Sequence, residues 1–188
     1  MEGTSREYQQ VINRCREVFS RKMSDYGLAW RVLRPSSLTD QIYIKASRIR
    51  SIETKGEQRV KEGIVPEFIG MVNYSIMALV QLRLGAAEEP DLDPRGAMQW
   101  FDAMAGQAQG LMEAKNHDYG EAWRQMRVSS LTDIILMKLH RIKQIEDNEG
   151  RTEVSEGTEG SYADIINYSV FALIKLGLAD STDAEGVG

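Results

Sequence analysis

The stretch KMSDYGLAWRVLRPSSLTDQIYIKASRIRSIE, Lys22 to Glu53, returns as KNHDYGEAWRQMRVSSLTDIILMKLHRIKQIE, Lys115 to Glu146. The copies are offset by 93 residues without a gap, and 19 of the 32 positions are identical. Further on, VKEGIVPEFIGMVNYSIMALVQL from Val60 aligns with VSEGTEGSYADIINYSVFALIKL from Val154 at an offset of 94. Identity at that density marks an internal duplication.

The duplication sets the domain plan. Residues 1–84 form a first helical repeat and residues 97–178 a second. Between them, GAAEEPDLDPRG at 85–96 has the glycine, proline and acid content of a linker. Residues 179–188, ADSTDAEGVG, read as a disordered tail. Each repeat reads as three main helices. Tyr8, Val11, Ile12, Cys15, Val18 and Phe19 recur at helical spacing in the first. The DYG triplet then breaks the helix, with Gly27 or Gly120 supplying the turn. Ser37 with Asp40, and Ser130 with Asp133, have capping-box spacing, which predicts caps rather than catalysts. The third helix carries NYS, is apolar on most sides and is expected to be central. Pro66 suits a first helical turn, so this helix is predicted to start near it. One repeat alone has too small a core to be comfortably stable. The expected fold is all-α: an internally duplicated, pseudo-twofold bundle of six helices around one shared core.

Composition narrows the classes of function. The chain has 188 residues, a net charge of −5, 42% hydrophobic and 27% charged residues, an ordinary globular balance. No run of eighteen apolar residues suggests a membrane span. The N-terminus, Met1 to Arg6, lacks the apolar run of a secretory signal. One cysteine, Cys15, excludes an intrachain disulfide and suits a reducing cytoplasm. With His117 and His140 the only histidines, a structural zinc site is disfavoured. The acidic balance argues against extensive nucleic-acid binding, though not against a small phosphate pocket. Exposed methionine and aromatic content makes a homodimer reasonable.

Polar residues inside apolar stripes carry the candidate chemistry. Leu38, Ile42, Ile49 and Ile52 form a seam whose missing position is Lys45; Leu131, Ile135, Ile142 and Ile145 form its twin around Lys138. A lysine so placed must snorkel, pair with an acid or meet a ligand. Arg48 and Arg141 follow at i+3 on nearly the same face. Two readings stand: an internal ion pair with an acid of the third helix, or a phosphate-binding Lys–Arg pair. Asn73 and Asn167 are either a polar lock between the pseudo-symmetric helices or ligand contacts. Glu156, Glu159 and Asp164 near the start of the last helix either hold Mg²⁺ or favour the helix N-terminus. Lys22, Asp25 and Tyr26, echoed by Lys115, Asp118 and Tyr119, either stack on a base or cover the bundle end. Trp30 and Trp123 are expected to anchor the turn to the core. From Arg21 to Lys61 there are ten basic residues and four acids, against seven and eight from Lys115 to Glu156. The first repeat thus suits phosphate better and the second suits metal.

The ordered blocks K-x-x-DYG-x-AW, SLTD-x-I-x-x-K-x-x-RI-x-x-IE and E-x-x-E-x-x-x-x-D-x-x-NY resemble the nucleotide modification associated domain family, first catalogued as a domain of unknown function. The resemblance covers both repeats. A looser likeness is to MazG-like all-α nucleoside triphosphate pyrophosphohydrolases. These resemblances imply an all-α bundle that handles a small-molecule nucleotide. The looser one implies Mg²⁺-dependent pyrophosphohydrolysis of noncanonical or modified nucleotides. Glu156 and Glu159 would then be catalytic, and Glu156, Glu159 and Asp164 would bind metal. Lys115, Asp118, Tyr119, Lys138, Arg141 and Asn167, with Lys22, Asp25, Tyr26, Lys45, Arg48 and Asn73, would bind nucleotide. The E-E-x-x-E motif of that class is absent, and Gly70 stands where Asp164 has its counterpart. The alternative is therefore a noncatalytic nucleotide-binding or assembly module.

Overall fold

In a computed structural model the described residues form six long helices: α1 (Glu2–Tyr26), α2 (Pro35–Lys55), α3 (Val60–Leu84), α4 (Pro94–Tyr119), α5 (Val128–Asp147) and α6 (Glu159–Lys175). The structure describes residues 2–56, 60–153 and 157–180, and among them there is no strand. Residues 181–188, most of the expected tail, lie outside the described set; Ala179 before them packs on the core.

Local chemistry explains the breaks. Gly27 and Gly120 have φ of +63° and +57°, left-handed values open to a residue without Cβ. Each ends its helix and leads into a short 3₁₀ turn, Ala29–Val32 or Ala122–Gln125. The predicted capping boxes are not caps. α2 begins at Pro35 and α5 at Val128, capped by Arg34 and Arg127 without a side-chain hydrogen bond. Ser37 and Ser130 already lie inside the first turn, where a hydroxyl cannot reach forward as a cap. Pro66 also departs from expectation, since α3 starts at Val60 and carries Pro66 inside it. A proline in the second turn deprives the helix of one N–H, and it stays tolerable near the end of a helix.

The helices form three layers. α3 and α6 pack on each other in the middle, α2 and α5 pack on them and on each other, and α1 and α4 cover the opposite side. Leu38, Ile42, Ile49, Leu131, Ile135 and Ile142 are all 0% exposed, each contributing about 2 kcal/mol of transfer free energy. Residues Gly63–Leu84 of α3 are long and apolar enough to cross a membrane, but 61% of that stretch is buried in the bundle, as befits a core helix.

Crossed polar pairs mark the pseudo-twofold axis between α2 and α5. Thr39 Oγ1 donates to Glu146 at 2.7 Å, and Thr132 Oγ1 donates to Glu53 at 2.7 Å. Outside them, Lys143 meets Asp40 at 3.1 Å and Arg50 meets Asp133 at 3.9 Å. Asp40 and Asp133 thus join the repeats. The linker is also tied down. Arg31, 1% exposed, bonds Asp91 at 2.8 Å and Gly85 O at 2.9 Å, and Asp93 caps α4 through Gly96 N at 2.6 Å.

Candidate functional site

Both seam lysines find acids on the third helix of their repeat, but different ones. In the second repeat, Asp164 accepts from Lys115 at 2.6 Å and from Lys138 at 2.8 Å. In the first, Lys45 reaches Glu67 at 3.3 Å, and Arg48 takes the same carboxylate at 2.6 Å. Glu67 aligns with Ser161 and Asp164 with Gly70, so the acid has moved by one helical turn between copies. The ion-pair reading of Lys45 and Lys138 holds in the structure. Arg48 is spent on Glu67, and Arg141 is exposed with no ion pair among the described residues.

The one-turn shift leaves a hollow in the first repeat. A cavity of about 600 Å³ lies between the end of α1, the Ala29–Val32 turn and α3. Its walls include Phe19, Trp30, Leu33, Ile69, Tyr74 and Met77, with Lys22, Gly70 and Asn73 supplying its polar or open positions. Trp30 stands edge-on to Phe19 with ring centroids 6.2 Å apart. The second repeat fills the equivalent space. Phe171 replaces Met77 and stacks on Trp123 with centroids 4.2 Å apart and planes 4° from parallel. Asp164 takes the position of Gly70 and bonds both of its lysines. Trp123 is buried in the core as the sequence predicted, and Trp30, half-buried, packs against the core while also walling the cavity.

The paired asparagines diverge too. Asn73 Nδ2 donates to Cys15 O at 3.0 Å and Asn167 Nδ2 to Ala108 O at 3.0 Å. Each therefore locks the third helix to the first helix of its own repeat, not α3 to α6. Asn167 Oδ1 also accepts from Tyr8 at 2.7 Å. Phe101 is the counterpart of Tyr8 and has no hydroxyl, so Asn73 Oδ1 is buried without a partner among the described residues. Trp30 Nε1 and Trp123 Nε1 are both buried without a partner among the described residues, so the indole nitrogens do not distinguish the domains. An unpaired buried polar atom costs about 1–3 kcal/mol, so Asn73 Oδ1 marks a real energetic difference between the domains.

The expected metal cluster does not assemble among the described residues. Glu156 lies outside them. Glu159 is held by Arg83 at 2.6 Å and Gln107 at 2.8 Å, and Asp164 by its lysines. Five residues on a helix place Glu159 and Asp164 well apart around the axis, so they face different neighbours. No group of three His, Cys, Asp or Glu residues suited to a cation occurs among the described residues. In the DYG triplets, Tyr26 and Tyr119 are 74% and 78% exposed. Tyr26 lies at the cavity; Asp25, Asp118 and Tyr119 are on the surface and meet no part of it.

The family model for nucleotide modification associated domain 1 matches residues 22–82 and again residues 115–176. This chain belongs to that family. Neither the curated proteins nor the solved structures returned a match, and the looser likeness to MazG-like pyrophosphohydrolases is shown by none of these comparisons. Each nucleotide modification associated domain begins, by its match, at the lysine of the first helix. Apart from Val18 and Phe19, the whole cavity lining falls within the first match. The cavity is thus built by the domain itself.

Two sets of residues escaped the sequence reading. Thr39, Glu53, Thr132 and Glu146 join the domains, and burial pushes both glutamate pKa values up from the ordinary 4.5. Identity between the copies was the available signal, because a pseudo-twofold contact uses each residue twice. Met77 also escaped, and Gly70 was seen only as the missing counterpart of Asp164, not as part of a cavity wall. The mismatches Gly70/Asp164 and Met77/Phe171 were visible in the alignment, but their meaning depends on both lying along one wall.

Proposed function

We propose that the chain binds a nucleotide in the cavity of its first domain and acts as a nucleotide-binding module. The observation that carries this reading is the apolar, aromatic cavity walled by Trp30, Tyr74 and Met77, with Lys22 and Asn73 at its polar positions. A volume of about 600 Å³ lies within the range of small-ligand sites, which combine apolar walls with a few placed polar groups. A base would lie against Trp30 and Tyr74, where stacking contributes about 1–3 kcal/mol per base. The family description, nucleotide modification associated, points to the same ligand class.

Thermal-shift and calorimetric titrations with common and modified nucleosides and nucleotides, each with and without Mg²⁺, test the proposal. Stabilisation that does not require metal is the expected result. No shift with any of them would end this reading. A hydrolytic role for the same family would need Glu159 and Asp164 released from Arg83 and from Lys115 and Lys138. Pyrophosphate release above an Asp164→Asn control in a parallel screen would favour that reading instead.

A further inference from the structure

The second domain shows where an anion sits when both lysines are satisfied. Asp164 lies between Lys115 on α4 and Lys138 on α5, at 2.6 and 2.8 Å. The first domain keeps both lysines, as Lys22 and Lys45, but puts Gly70 in place of the aspartate. Lys22 has no hydrogen bond or ion pair among the described residues and borders the cavity. Lys45 lies flat across the glycine: a Cβ on Gly70 would fall 2.6 Å from Lys45 Cε. Its grip on Glu67 is the longer of that carboxylate's two contacts, 3.3 Å against 2.6 Å for Arg48. Lys45 can therefore turn away while Glu67 stays paired.

We infer that the first domain seats an anionic group of its ligand between Lys22 and Lys45, over Gly70, in the place that the Asp164 carboxylate fills in the second domain. For a nucleotide this group is a phosphate, and it sits beside the aromatic wall that receives the base. This inference rests on the nucleotide-binding reading for the ligand's identity, but the anion seat itself is argued only from the comparison of the domains. The two cations come from different helices, α1 and α2, so an anion bridging them also ties the end of α1 to the bundle. Asp164 is an internal copy of the ligand's charge, and it explains why the second domain needs none.

The test is calorimetry on the full chain with inorganic phosphate, the four common deoxynucleosides and their 5′-monophosphates. Wild type is compared with Lys22→Ala, Gly70→Asp and Gly70→Asn. A monophosphate should bind about tenfold or more tightly than its nucleoside, the gain expected of charge-assisted hydrogen bonds, and added salt should shrink the difference. Lys22→Ala should erase the gain. Gly70→Asp should erase it by supplying the carboxylate in cis, with the larger loss relative to Gly70→Asn marking charge rather than bulk. Equal affinity of nucleoside and monophosphate, or a gain that survives Lys22→Ala, overturns the anion seat and leaves the base cavity standing. Phosphate binding that depends on Lys22, without any nucleoside binding, supports the anion seat and removes the base-binding reading. No binding of phosphate or of any monophosphate overturns the inference.

Discussion

The two domains hold the same tryptophan, asparagine and pair of lysines, and they use them in opposite ways. In the second domain the Trp123 ring stacks under Phe171, Asn167 bonds Tyr8, and Lys115 and Lys138 meet on Asp164, though Trp123 Nε1 is as unpaired as Trp30 Nε1 among the described residues. In the first, Trp30 and Asn73 line a cavity with unpaired polar atoms, and Lys22 faces solvent. Three substitutions between the copies account for the contrast: glycine for aspartate, methionine for phenylalanine, and Phe101 for Tyr8. After duplication, one copy suffices to complete the core, and the other is free to keep an opening.

The most direct way to break the contrast is to remove the filling. Asp164→Gly combined with Phe171→Met should open a second cavity and raise nucleotide stoichiometry from one to two per chain, read by calorimetry. A stoichiometry that stays at one, in a protein still helical by circular dichroism, would mean that the filling is not what separates the domains. Removing the charge alone should cost stability unequally. Asp164→Ala strands Lys138, whose side chain is only 15% exposed, and should cost about 3 kcal/mol in urea denaturation. Glu67→Ala strands Lys45 and Arg48, 22% and 63% exposed, and should cost less, about 2 kcal/mol, because the exposed guanidinium regains water while Lys45 stays largely buried. Equal losses would contradict the assignment of the second domain as the closed one.

Smaller effects sharpen the asparagine comparison. Tyr8→Phe should leave Asn167 Oδ1 as unpaired as Asn73 Oδ1 already is, at a cost of about 1–2 kcal/mol. Phe101→Tyr should recover part of that amount in the first domain; a loss of stability there would show that the space beside Asn73 cannot take a hydroxyl.

The smallest effect concerns the axis between the domains. Burial raises the pKa of Glu146 above 4.5, with Thr39 and Tyr162 bonds opposing. The folded state then holds the proton more tightly than the unfolded one, so stability falls as pH rises from the unfolded pKa through the folded one. Glu146→Gln keeps an acceptor for Thr39 and removes the ionisation. Its melting temperature should exceed that of wild type at neutral pH, with the difference vanishing below 4.5. An unchanged difference across pH would remove burial of this carboxylate as the cause. Glu53, raised for the same main reason, should repeat the pattern.

Much of the fold was readable from residues alone. Two copies of one pattern, glycines after each DYG tyrosine, and seams at helical spacing are local features, and they specify six helices with a shared core. The lysines interrupting those seams stood out for the same reason: a charge in an apolar stripe is anomalous wherever the stripe packs. The helix starts were misread at Ser37, Ser130 and Pro66, because capping signals name a turn but not whether the helix has already begun. The acidic cluster was misjudged because spacing along α6 does not say which cation each carboxylate will meet.

The sequence by itself determined that the chain is a duplicated helical bundle and which residue types lie inside it, because periodicity and repetition are properties of the string. Only the tertiary structure decided which of two equivalent lysine pairs shares one carboxylate and which leaves its α1 lysine, Lys22, exposed beside a cavity. That outcome depends on a carboxylate shifted by one turn and on side-chain volumes at Gly70 and Met77. Those effects exist only where α1, α2 and α3 come within a few ångströms of one another.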